Sequence, residues 1–199
     1  MIVKICGITR LEDAQVCALE GADIIGFIFA PSPRRVEAPH VKDIIAELDG
    51  NIRTAGVFVN APLDEVNRIT DLCSLDYVQL SGDESDAYAG DVHAPVIRSI
   101  PVSDSASFDR VSQYTHYEIL LYDTASAMRG GSGTPFDWSL LAGKKRPYLI
   151  AGGINPENVS KALAFKPDGI DVSSGVEVSP GIKSAEKIRA LMKVVYGGA

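Results

Sequence analysis

Eight short apolar, β-rich runs, each followed by a connection and a stretch with helical spacing or helix formers, predict an α/β fold. The form expected is a (β/α)8 TIM barrel, compact and single-domain over residues 1–199. A second observation weighs against the structural alternative, an open doubly wound sheet: the first βα turn, CGITRL, lacks the GxGxxG spacing that cradles a dinucleotide phosphate in such sheets. A third is that the glycine-rich stretches follow the sixth, seventh and eighth runs instead. A typical barrel of this kind has about 250 residues, so this one is short.

The strands are expected in IVKICGI (2–8), DIIGFIFA (23–30), RTAGVFVN (53–60), YVQLSG (77–82), PVIRSIPV (95–102), EILLYDT (118–124), YLIAGG (148–153) and GIDVSSG (169–175). Between the first two, RLEDAQVCALEG repeats Leu11, Ala14 and Ala18 at helical spacing, and Gly21 is placed to end the helix. PLDEVNRITDLC behaves the same way through Leu63, Val66, Ile69 and Cys73. The segment DESDAYAGDV after the fourth strand carries the weakest helical signal. In NPENVSKALAF, Asn155 is expected as the cap and Pro156 at the first helical position. The last helix, SAEKIRALMKVV, places Ile188, Leu191, Met192 and Val195 on one face.

Composition narrows the function. A net charge of −7 with no Lys/Arg run argues against nucleic acid as a partner. That charge balance points to a small-molecule or protein partner, and the N-terminal stretch is neither a signal peptide nor a membrane span, so a cytoplasmic protein is expected. Three cysteines, Cys6, Cys17 and Cys73, sit in no metal-ligand spacing and suit a reducing compartment. Cys17 and Cys73 fall on apolar helix faces and read as core. No helix shows a second apolar stripe, and a monomer is expected.

In such a barrel the active site lies at the C-terminal ends of the strands. Cys6 ends the first strand on the same side as Lys4, whose ammonium would push the thiol toward thiolate; position alone favours a packed cysteine. Asp123 ends the sixth strand after ILLY, where desolvation would raise a carboxyl toward general-acid range, unless it serves only as a cap. Gly152 and Gly153 after strand seven, with Ser173, Ser174 and Gly175 after strand eight, form two small-residue stretches suited to a phosphate. Arg34, with Arg35 beside it, could reach a carboxylate at the mouth. The segment 125–135, containing Gly131 and Gly133, is a candidate lid. His93 and His116 precede strands and fall at the far end, and His40 is at the surface. An acid, a base and a phosphate site suggest isomerisation of a sugar phosphate. A barrel that merely binds a phosphorylated metabolite would need only the phosphate stretches.

The ordered set KICGIT, GADIIGFIF, SPRRV, GVFVN, QLSGDES, GGSGTPFDW, AGGINPENV and DVSSGVE resembles the phosphoribosylanthranilate isomerase family over nearly the whole chain. The resemblance implies an Amadori rearrangement of N-(5-phosphoribosyl)anthranilate to 1-(2-carboxyphenylamino)-1-deoxyribulose 5-phosphate in tryptophan biosynthesis, with no metal and no organic cofactor. It implies Cys6 as general base and Asp123 as general acid. Arg34 matches the arginine facing the anthranilate carboxylate, while Gly153, Ser174 and Gly175 match the phosphate loops. Asp171 and Gln79 match further polar positions, and Gly131 to Gly133 the sixth loop. Ser81 stands where the family usually has histidine; it can hydrogen-bond but carries no cation, so an effect on affinity rather than on the proton transfers is expected.

Overall fold

A computed structural model of the protein describes residues 1–48, 50–125, 135–144 and 147–197. Eight parallel strands close into a barrel in sequence order: β1 (Ile2–Cys6), β2 (Ile24–Ile28), β3 (Arg53–Phe58), β4 (Tyr77–Leu80), β5 (Val96–Val102), β6 (Ile119–Thr124), β7 (Tyr148–Ile150) and β8 (Gly169–Val172). Each lies inside the run expected from its β-branched and aromatic residues. Beyond β8 a small antiparallel ribbon, β9 (Glu177–Ser179) and β10 (Ile182–Lys183), leads into the last helix.

The helices bury one face each, as their spacing requires. They are α1 (Leu11–Leu19), α2 (Ala38–Ala46), α3 (Leu63–Cys73), α4 (Asp86–Gly90), α5 (Val159–Leu163) and α6 (Ala185–Tyr196). Cys17 and Cys73 are buried in the apolar layer between helices and barrel. Ser184 accepts a hydrogen bond from Lys187 N–H at 3.3 Å and caps α6, whose Ile188, Leu191 and Met192 are buried. Asn155 departs from its expected place. Its side chain accepts from the Glu157 and Asn158 amides at 3.0 Å, so it closes the turn before α5, and the helix begins at Val159. After β5 the connection is a 3-10 helix over Ser105–Gln113. Three serines in that segment compete for local backbone hydrogen bonds, and Asp104 and Ser107 form a reciprocal capping box at its start.

Strand periodicity divides the sheet into two faces. Outward side chains meet the helices. Inward, Ile24, Ala55, Tyr77, Ile97, Ile119, Leu121, Leu149 and Ala151 fill the barrel as one apolar cluster. The inward register of β1 and β8 is polar instead: Lys4 stands opposite Asp171, and Cys6 opposite Gly26 on β2. This polar sector is continuous with the open C-terminal end of the barrel, where the site lies. Among the described residues no helix is long and apolar enough to cross a membrane.

Candidate active site

A cavity of about 310 Å³ opens at the C-terminal ends of the strands. Cys6, Gln79, Asp123 and Asp171 reach it from four strands, and Arg34, Gly152 and Ser174 from three loops. Ser173, Gly153 and Ser81 line it as well. Parity places the four strand residues, each the last inward side chain of its strand; Gly152 and Ser174 lie two residues beyond β7 and β8, and Arg34 six beyond β2.

Asp123 is the most perturbed carboxyl in this cavity. Burial, with a smaller push from the negative Asp171, raises it from 3.8 to about 6, against the opposing Thr124 amide, which donates to Oδ1 at 2.7 Å, and Lys4. A carboxyl at that value keeps a proton for a useful fraction of the time near neutrality.

Cys6 is 7% exposed. Lys4, fully buried, donates to Asp171 Oδ2 at 3.0 Å and faces the thiol. The sequence-based expectation that Lys4 leaves the thiol acidic is corrected here: burial pushes Cys6 above its ordinary value, Lys4 and Lys183 pull it down, Asp171 raises it, and the net direction is up. Lys4 itself is raised, since Asp171 and Cys6 together outweigh the burial that would lower it. The ammonium therefore stays charged beside the thiol.

Gly26 makes this arrangement possible. A Cβ built on it would lie 2.9 Å from Cys6 Sγ and 3.2 Å from Lys4 Nζ, so thiol and ammonium share the space that a side chain would fill. Gly26→Ala is expected to displace the thiol, cutting kcat by about tenfold or more at a cost of about 1–3 kcal/mol of stability. Turnover and thermal unfolding of that variant check it; unchanged kcat would place the reacting group elsewhere.

The two small-residue stretches adjoin the cavity, but not all their members line it. Gly152 has φ +84°, and a Cβ there would strike the Thr124 hydroxyl, which reserves the position for glycine. Asn158 Nδ2 donates to the Gly153 carbonyl at 2.9 Å and fixes the turn. Gly175 packs against the Ile154 carbonyl and is not among the lining residues. Gly131 and Gly133 lie outside the described residues.

Among the described residues, three buried polar atoms at the cavity have no hydrogen-bond partner: Gln79 Oε1, Asp171 Oδ1 and Ser173 Oγ. Buried polar atoms are normally satisfied, and unpaired ones grouped in one cavity suit a polar ligand. Among the described residues no group of three His, Cys, Asp or Glu side chains is arranged to hold a metal.

The family model described as N-(5'-phosphoribosyl)anthranilate (PRA) isomerase matches residues 3–194. The chain belongs to the phosphoribosylanthranilate isomerase family. Its activity is that of the family, isomerisation of N-(5'-phosphoribosyl)anthranilate in tryptophan biosynthesis. An N-(5'-phosphoribosyl)anthranilate isomerase from Citrifermentans bemidjiense is 44% identical over 194 residues, covering 96% of this chain and 94% of that one. The phosphoribosyl anthranilate isomerase of Thermotoga maritima superposes with a TM-score of 0.93 at 37% identity, over 99% of this chain and all of that one (100%). A further isomerase structure, TM-score 0.89 at 35% identity over 99% and 100% of the two chains, is a complex with reduced 1-(o-carboxyphenylamino)-1-deoxyribulose 5-phosphate.

For an isomerase of this family, two features of the site went unread in the sequence. Arg34 is not a free surface guanidinium: Nε and Nη2 donate to the two oxygens of Glu177 at 2.8 and 2.7 Å. Glu177 also accepts from Lys183 Nζ at 2.8 Å. Glu177 stands 143 residues after Arg34, and its only sequence signal was an acidic residue closing DVSSGVE. Arg35, the alternative to Arg34, points away and pairs with exposed Glu37. Ser81 lines the cavity and accepts from Gln79 Nε2 at 3.0 Å, which aims the amide so that its oxygen is the unpaired atom.

Proposed function

We propose that Asp123 and Cys6 are the acid and the base of the family's rearrangement in this chain. The observation that carries this reading is that one cavity holds a carboxyl raised to about 6 together with a buried cysteine beside a buried ammonium. Asp123 gives its proton to the furanose ring oxygen as the bond from that oxygen to C1 breaks, and the anilino nitrogen's lone pair forms the iminium. The Cys6 thiolate then takes the C2 proton, the C–H electron pair moves into the C1–C2 bond, and the iminium becomes an enolamine. Tautomerisation to the ketone completes the step with no net gain or loss of protons. Each transfer is worth about 10²- to 10⁴-fold.

Arg34 is the one cationic side chain lining the cavity among the described residues, and it suits the anthranilate carboxylate. Gly152, Gly153, Ser173 and Ser174 offer amides and hydroxyls to the phosphate, with Gly175 behind them. Gln79 Oε1 and Asp171 Oδ1 are acceptors placed for sugar hydroxyls. The three free, buried cysteines suit a reducing cytoplasm.

The test follows anthranilate-type fluorescence as freshly made N-(5-phosphoribosyl)anthranilate is consumed. Gln79→Ala is expected to act mainly on KM and to keep kcat far better than Asp123→Asn or Cys6→Ser, since Gln79 moves no proton. Equal losses of kcat in all three variants would contradict the assignment.

A further inference from the structure

Beneath Arg34 lies a charge cluster that the proposed proton transfers do not use. Glu177, 6% exposed, takes Arg34 on one side and Lys183, also 6% exposed, on the other. Lys183 Nζ donates further to the Cys6 carbonyl at 2.6 Å and to the Ser173 carbonyl at 3.2 Å. The Gly181 amide donates to Glu177 Oε1 at 3.3 Å, which ties the β9–β10 ribbon to the same carboxylate. Burial acts to raise Glu177, and the hydrogen bonds from Arg34 and Lys183 override it, so the carboxylate is held ionised.

The guanidinium geometry matters. Glu177 occupies the side-on edge made by Nε and Nη2, and Nη1 makes no hydrogen bond among the described residues. The end-on edge, Nη1 with the second hydrogen of Nη2, stays open for a second carboxylate. The charge balance is equally specific. Arg34 paired with Glu177 alone is neutral and has little net pull on an anion. Lys183 restores one positive charge to the cluster, matching one carboxylate.

We propose that Glu177 and Lys183 are positioning residues that hold Arg34 edge-on to the cavity and set the isomerase's preference for a carboxylated ring. The inference rests on the reading that Arg34 faces the substrate carboxylate. It adds that the orientation and net charge of that arginine come from the β9–β10 ribbon, not from the loop that bears it. Because Lys183 also binds the Cys6 carbonyl, the clamp keeps the arginine in register with the end of β1.

The test uses reduced 1-(o-carboxyphenylamino)-1-deoxyribulose 5-phosphate and the same compound without its carboxyl group, with Kd measured for the native protein, Glu177→Gln, Glu177→Asp and Arg34→Met. The ratio of the two Kd values measures carboxylate recognition without turnover. Glu177→Gln raises the cluster's charge by one, which favours the carboxylate, but releases the edge-on hold on Arg34; the lost hold is expected to dominate and to cut that ratio by about tenfold or more while kcat on the natural substrate stays within about threefold. Glu177→Asp keeps the charge and is expected to fall between Glu177→Gln and the native protein; if Glu177→Gln does not fold, a native-like ratio in folded Glu177→Asp overturns the proposal. A collapsed ratio in Arg34→Met with an unchanged one in Glu177→Gln would overturn the clamp and keep the reading of Arg34. An unchanged ratio in Arg34→Met would overturn both. Equal weakening for the two compounds in Glu177→Gln would mark the cluster as structural only and overturn the proposal.

Discussion

Asp123→Asn is expected to lower kcat by about 10²- to 10⁴-fold while making the folded barrel more stable at neutral pH. The loss follows from removing the proposed proton donor; asparagine keeps the shape and can still accept the Thr124 amide. The gain follows from linkage. The folded carboxyl titrates at about 6 against 3.8 as its ordinary value, so the folded chain holds this proton more tightly than the unfolded one. Stability from this group is therefore full below about 3.8 and is lost as pH rises through about 6, so neutral pH carries the whole cost, about 1–3 kcal/mol. Thermal unfolding should show Asp123→Asn melting higher than the native protein at pH 7.5, with the difference gone near pH 3.5. Retained turnover, or a variant that melts lower at pH 7.5, would remove Asp123 from the role of a strained acid.

Cys6→Ser is expected to cost at least about 10²- to 10⁴-fold in kcat with a barrel that still folds. Serine matches the shape, but its hydroxyl ionises far above any thiol, and Lys4 cannot bring it into range. The comparison separates the two readings open at the level of sequence. A cysteine that only packs would lose some stability on this change and leave kcat alone. A cysteine that takes the C2 proton loses kcat first. Steady-state kinetics beside a melting curve decide between them.

The barrel was legible because strand and helix periodicities are local. All eight runs contain their strands, and parity alone put Lys4 and Cys6 on one inward face. Asp123 was legible for a related reason: a carboxyl following ILLY at a strand end is desolvated in nearly any packing. What could not be read depends on contacts far apart in the chain. The Cys6 thiol is raised because burial exceeds the pull of Lys4, a balance that no strand spacing contains. Lys183 reaches the Cys6 carbonyl across 177 positions of sequence, and only the ribbon's geometry brings it there. The start of α5 moved because Asn155 spends its side chain on a local turn before the helix begins.

Turnover by this route needs Asp123 protonated and Cys6 ionised in the same molecule, and the pH dependence of kcat/KM, which reports the groups of the free enzyme, tests it most directly. With the acid at about 6 and the base above its ordinary value, the productive form is the less common one. Between the two apparent values each pH unit that strips protons from Asp123 adds thiolate at Cys6 in the same proportion, so kcat/KM should rise to about pH 6 and then run flat through pH 8. A kcat/KM that climbs about tenfold per unit from pH 6 to 8 would mean that only the base matters, and one that falls about tenfold per unit that only the acid does. Either result would contradict the account.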